Sequence, residues 1–436
     1  MRTSRSPSRL RRLVLPLAVA VLLAALGAPP ARAAICATDA VPGATLLLPY
    51  FEVDLDHPNG LTTLFSIDNA SATAVLAHVV VWSDLAVPVV NFNLYLTGYD
   101  VQSLNLRDLL VGGGLPQTAS WGQDPGDAIS PKGQYSQDIN FATCTGKLPP
   151  PPMTADQLAH LQSALTGRPS PLAGGMCLGR NLGDRIARGY VTVDTVNNCT
   201  LRIPGDPGYI GDGPPFSGDL TGQNVLWGTW YIVNSAHDFA QGSNLVAIEA
   251  SAGYPAAATA GRYTFYGRYD GWNGADHREP LATNFALQYA VGSTFHGAAD
   301  VIVWRDPKVA QEPFACPAAS GGPAWYPLGQ QGIALYDEEE HVELGSPNFD
   351  PPPPPPVPFA AAAQRVRLGD GELPLSFAFG WIELDLNRPA SGPNPASDPT
   401  ASQAWVMSVQ SSDGRFATAV DAFRLDSACA VHHPIF

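Results

Sequence analysis

The chain is 436 residues long and acidic, with 39 Asp and Glu against 24 Lys and Arg and a formal charge of −15. That balance repels nucleic acid and anionic membranes, so neither is expected as a partner. Only 14% of the residues are charged while 45% are hydrophobic, enough apolar material for two or three domain cores.

Residues 1–33 read as an export signal. Arg2, Arg5, Arg9, Arg11 and Arg12 precede an apolar run from Leu13 to Leu26, and Ala31-Arg32-Ala33 offers a small-residue cleavage site. The run is shorter than the roughly 18 residues a membrane helix needs, and no later run reaches that length. Cleavage after Ala33, with no integral membrane segment thereafter, is the expectation. Cys36 lacks the small preceding residue of a lipidation signal, since Ile35 stands there, and is assigned to a disulfide. Export to the periplasm or beyond is an oxidising destination in which six cysteines pair. Arginine far outnumbers lysine, and Ala, Gly and Pro abound, a composition of GC-rich bacterial genomes.

Beyond the leader the chain is written twice. Asp56-His57, Leu61, Thr63 and Phe65 recur with unchanged spacing as Asp276-His277, Leu281, Thr283 and Phe285. Val79-Val80-Val81-Trp82 recurs as Val301-Ile302-Val303-Trp304. Gly189 to Asp194 matches Gly380 to Asp385, and Ala247 to Ala250 matches Ala419 to Ala422. These segments are rich in Val, Ile, Thr and aromatics and are bounded by turn residues, as half-buried strands are. The fold class expected is all-β: two tandem, related antiparallel β-sandwiches, immunoglobulin-like or jelly-roll-like, with one small helical insertion. Sandwich one spans 34–255 and sandwich two 256–436. Thr45–Phe51 and Thr264–Asp270 are the expected equivalent first strands.

The insertion covers about 144–177. Thr154 with Gln157 forms a capping box ahead of Leu158, Leu161 and Leu165 at helical spacing. The first copy exceeds the second between matched strands by about the separation of Cys144 from Cys177. A Cys144–Cys177 bridge closing the insertion is therefore expected, which leaves Cys316–Cys429 in copy two and Cys36–Cys199 in copy one. Copy two carries its own ornament, a proline-rich loop at about 350–358.

Candidate sites are few. Glu52, Asp54 and Asp56 before the Pro58-Asn59-Gly60 turn suggest calcium, although the spacing misses a calcium loop by one residue. No other cofactor is expected. Asp337 to Glu340 reads as solvated edge charge, and the two Asp-His pairs as turn initiators. Aromatic strands supply the ligand-binding candidates: Trp227, and Tyr266, Arg268 and Trp272 at the start of copy two, because flat rings beside polar groups stack on sugars. No G-x-S-x-G, H-E-x-x-H or phosphate loop occurs. The favoured reading is a secreted non-enzymatic protein, a surface or matrix component or a binder of glycan or extracellular protein. The alternative is an extracellular polysaccharide-acting hydrolase with paired carboxylates such as Glu249 and Glu383.

Overall fold

A computed structural model of the chain describes residues 41–116, 139–251, 264–269, 275–307 without 293 and 295, 312–316, 323, 326–329, 332–342, 359–369, 373, 375, 377–386 and 403–425 without 414. The leader, Cys36, Trp272, the proline run, Cys429 and nearly all of the joining segment 251–258 lie outside these residues. Among the described residues no helix is long and apolar enough to cross a membrane.

The architecture is all-β, in four antiparallel sheets. The first sandwich uses β1 (Thr45–Asp54), β2 (Leu61–Asn69), β3 (Val75–Ser83), β4 (Pro88–Leu96), β5 (Val101–Asn105), β6 (Ile186–Val196), β7 (Leu226–Trp227), β8 (Thr229–Asn234), β9 (Phe239–Asn244) and β10 (Val246–Ile248). Its inner sheet runs β10-β1-β6-β3-β4, and its outer sheet β5-β2-β8-β9 with β7 beside β2. The second sandwich uses β11 (Asn284–Ala290), β12 (Gly297–Arg305), β13 (Gly332–Asp337), β14 (Ala363–Arg367), β15 (Phe379–Asp385), β16 (Ala404–Ser412), β17 (Phe416–Asp421) and β18 (Phe423–Arg424). Its inner sheet is β14-β12-β16-β17 and its outer sheet β13-β15-β11-β18.

The two inner sheets pack on each other. Val301 and Val303 of β12 enter the core of sandwich two, while Ile302 and Trp304 join the core of sandwich one. β16 divides in the same way, with Val406 inward and Trp405, Met407 and Val409 across the seam. This explains why β3, Val-Leu-Ala-His-Val-Val-Val-Trp-Ser, is buried along its whole length and does not alternate. A strand covered on both faces has no solvent side for polar residues to occupy. Trp82, Tyr190 and Trp304 meet in the seam, the first two stacked with centroids 5.7 Å apart and the last two edge-on at 5.9 Å.

The sandwiches are related, though not through every pair of segments expected. Taking β2, β3, β4, β5, β6 and β8 with β11, β12, β14, β15, β16 and β18 preserves chain order and adjacency. β5-β2-β8 corresponds to β15-β11-β18, and β6-β3-β4 to β16-β12-β14. Gly189–Asp194 and Gly380–Asp385 are therefore not equivalent: β6 lies against β3, whereas β15 lies against β11. The counterpart of β6 is β16, which sets Trp405 opposite Trp304 as β6 sets Tyr190 opposite Trp82. Ala247–Ala250 and Ala419–Ala422 also part company, since β10 borders β1 and β17 borders β16. Strand-like composition specifies a strand, not the sheet that receives it.

Thr264–Tyr269 is likewise no strand. The Gly267 N–H donates to the Thr264 carbonyl and the Tyr269 N–H to that of Tyr266, a pair of turns. The place that β1 takes beside β6 is taken in copy two by β17 beside β16, so the segment is free to fill the seam.

The helical insertion forms as expected. Its helix, Ala155–Leu165, has the reciprocal Thr154–Gln157 cap and buries Leu161, Ala164 and Leu165. Its disulfides differ from the expected ones. Cys144 joins Cys199 and Cys177 joins Cys316, which overturns the Cys144–Cys177, Cys36–Cys199 and Cys316–Cys429 pairings. The insertion is not a self-closed ear: it crosses the seam, where Cys177 and Phe314 exchange backbone hydrogen bonds.

Candidate functional site

Two surfaces bring together functional chemistry. The first is the outer face of the outer sheet of sandwich one. Register and burial place Val101, Ser103 and Asn105 of β5, Thr62, Leu64, Ser66 and Asp68 of β2, Trp227, Thr229, Tyr231 and Val233 along β7 and β8, and Ala240, Gly242 and Asn244 of β9 on that face. Trp227 and Tyr231 are 46% and 47% exposed, large aromatic surface left to water. Four residues apart on one strand line, they are separated by roughly 13 Å. Tyr231 lies opposite Gly242, where an added Cβ would come within 2.4 Å of its ring. The ring thus lies across the glycine, one face on the sheet and one face outward.

Among the described residues placed on this face the one carboxyl is Asp68, which is 3% exposed and sits opposite Trp227. Burial raises the Asp68 carboxyl above its ordinary value, and the Ser66 hydroxyl, donating at 3.0 Å, partly offsets this.

The second surface is a cleft of about 350 Å³ on the seam, lined by Tyr50, Glu52, Arg180, Leu182, Arg188, Asp300, Gln364, Arg365, Val366 and Arg367. Glu52 comes from β1, Arg188 from β6, Asp300 from β12, and Arg365 and Arg367 from β14, so both sandwiches build it. Arg365 links the two sides. Its Nη1 donates to Glu52 at 3.3 Å and its Nε to Asp300 at 2.8 Å. Arg367 donates to the other Asp300 oxygen, and Tyr50 donates to Glu52 at 3.0 Å. Arg180 holds buried Asp84 through its backbone N–H at 3.0 Å and its Nε at 2.6 Å. Burial would lower the Arg180 and Arg365 pKa values, but Asp84 for the former, and Glu52 with Asp300 for the latter, hold them above the ordinary arginine value. Burial, reinforced by Glu52, pushes the Tyr50 hydroxyl well up and keeps it a donor.

The sequence-derived candidates are scattered. Glu52 faces the cleft; Asp54 accepts the Asp56 and His57 N–H groups of its own turn; Asp56 pairs with Arg185 at 3.2 Å. The three do not converge on a calcium site: each is held by its own partners, Glu52 by Arg365, Asp54 by the N–H groups of its turn and Asp56 by Arg185. Among the described residues no group of three or more His, Cys, Asp or Glu is placed to hold a metal. Tyr266 and Arg268, expected to face a ligand, are 1% and 9% exposed and belong to the seam. Tyr266 donates to Asp194 at 2.8 Å, and Arg268 pairs with buried Asp306. Glu249 follows β10 of sandwich one, and Glu383 lies on β15 in the outer sheet of sandwich two. Of the predicted ligand residues that are described, only Trp227 stands in the open; Trp272 lies outside the described residues. The cleft arginines carried no sequence signal: they are spread from 180 to 367 and meet only through sheet-on-sheet docking. Compared with protein-family models, with curated proteins and with solved structures, the chain matches none, so these two surfaces rest on their own chemistry.

Proposed function

We propose that this is an exported, non-catalytic glycan-binding protein whose platform is the outer face of sandwich one. Trp227 and Tyr231, half-exposed on a face where the described residues place no exposed charge, carry the reading. Sugar rings offer C–H faces to aromatic rings and hydroxyls to Ser, Thr and Asn, and this face supplies both. Two disulfides and the N-terminal leader support export. The hydrolase alternative has less support. The two carboxylates that line the seam cleft, Glu52 and Asp300, each accept hydrogen bonds from guanidinium groups, and among the described lining residues Tyr50 is the one aromatic.

The test is retention of the mature chain on insoluble and arrayed neutral polysaccharides. Trp227→Ala and Tyr231→Ala should each weaken retention by about 1 kcal/mol or more with little change in melting, as both rings are half exposed. Retention indifferent to both substitutions, or release of new reducing ends from the polymer, would sink the proposal.

A further inference from the structure

The cleft on the seam holds hydrogen-bond donors that the fold leaves unused. Arg180 gives its backbone N–H and Nε to Asp84, and among the described residues its two terminal nitrogens have no hydrogen-bond partner. Arg367, its side chain 49% exposed, gives Nε and Nη2 to Asp300, and its Nη1 likewise has none. Around these donors the wall is built of Tyr50, Glu52, Asp300 and Gln364, all less than a tenth exposed. Such groups are already stripped of water and held by one another, so a ligand meets a preformed polar surface.

We propose that this cleft binds a monosaccharide uronate, with its carboxylate on Arg180 and Arg367 and a hydroxyl on Glu52. Three observations select that chemistry. The terminal nitrogens of Arg180 match a planar carboxylate with paired N–H···O bonds, and Arg367 adds a single donor, Nη1. Glu52 and Asp300 in the same wall repel a doubly charged phosphate more strongly than a singly charged carboxylate, and Glu52, whose carboxylate among the described residues accepts only from Tyr50 and Arg365, keeps lone pairs for a neutral hydroxyl. A volume of about 350 Å³ falls at the small end of ligand pockets and suits one sugar ring more than a polymer segment. The site lies apart from the aromatic face and shares with it only the broad class of ligand.

Calorimetric titration of the mature, disulfide-intact chain with D-galacturonate and D-glucuronate tests this, with D-glucose and inorganic phosphate as comparison ligands. A uronate should bind at least about tenfold more tightly than either comparison ligand, and Arg367→Gln and Arg180→Gln should each weaken it by about tenfold. Arg180→Gln strips buried Asp84 of its partner and can unsettle the fold, so half-exposed Arg367→Gln decides if that variant misfolds. No heat with either uronate, glucose or phosphate binding as tightly, or full uronate affinity in Arg367→Gln overturns the inference. A chain that holds neutral polysaccharide and ignores uronates breaks this inference and leaves the outer-face reading standing; the converse result separates them the other way.

Discussion

Asp56-His57 and Asp276-His277 open the same sequence pattern in the two sandwiches, yet they live in opposite surroundings. In the first copy the Asp56 and His57 side chains are 48% and 79% exposed, on a turn that Asp54 organises. In the second, Asp276 is fully buried: it accepts the Tyr266 N–H at 2.6 Å and lies 3.7 Å from the Arg278 guanidinium. Arg278 in turn reaches Asp194 of β6 at 3.6 Å and donates to Thr45 of β1 at 2.5 Å. A surface turn in one sandwich thus corresponds to a bolt through the seam in the other. The shared motif does not fix even the local acceptor, which is Asp54 in copy one and Asp276 itself in copy two. What surrounds it depends on whether a first strand precedes it, as β1 does in copy one, or a turn folded into the seam, as Thr264–Tyr269 is in copy two.

The sharpest way to break this contrast is to remove the same side chain from both copies. Asp276→Ala leaves Arg278 less compensated in a dry seam and should cost about 3–5 kcal/mol, the usual penalty for breaking a buried ion pair. Asp56→Ala releases only its exposed pairing with Arg185 and should cost less than about 1 kcal/mol. Urea unfolding of the two variants reads both numbers, and equal losses would mean that Asp276 is no bolt.

A smaller effect is expected at the edge of the seam, where Cys177 of the insertion is bonded to Cys316 of sandwich two across 139 residues. Replacing both by Ala should cost about 2–4 kcal/mol under non-reducing conditions by releasing the unfolded chain from that constraint. It should also loosen the cleft wall, since Arg180 and Leu182 follow Cys177 closely. An unchanged denaturation midpoint would show that the docked inner sheets alone hold the sandwiches together.

Fold class was legible in the sequence because strand composition, turn residues and a doubled pattern are local properties. The capping box at Thr154 and the strands ending in Trp82 and Trp304 are of that kind. Sheet membership was not: Gly189–Asp194 and Gly380–Asp385 look alike and yet belong to an inner and an outer sheet, because the pattern that makes a strand is silent about its neighbour. Disulfide pairing failed for a related reason. Matching an insertion's length to a cysteine spacing presumes that the insertion folds on itself, and this one reaches to the other sandwich. Tyr266 and Arg268 were misplaced through the assumption of an alternating strand, where turns put both in the seam. Trp227 was found because one exposed face of a strand can be read from alternation, whereas the cleft needed both sandwiches in place.

The subtlest contrast is in pH response, where the two sandwiches should pull in opposite directions. His78, on β3, is fully buried and its pKa is lowered, burial outweighing the hydrogen bond to Asn93 at 3.1 Å and the more distant charges of Asp194 and Asp219. A histidine depressed in the fold stays neutral there while the unfolded chain takes up a proton. Its contribution is complete above the unfolded value of 6.5 and declines as pH falls below it toward the folded value. His341, after β13, is exposed and its pKa is raised, first by its hydrogen bond to Asp337 at 2.8 Å and then by that residue's charge. Its contribution has the other sign, being present below the unfolded value and lost as pH rises through the folded one. Solvent screens His341, so the buried histidine should dominate and the wild-type chain should lose stability between pH 7 and pH 5. His78→Gln should be weaker at pH 7 but flatter across that interval. His341→Gln should leave pH 7 untouched and make the fall slightly steeper. Equilibrium unfolding at the two pH values decides: if His78→Gln declines toward pH 5 as steeply as wild type, His78 is not where the acid sensitivity resides.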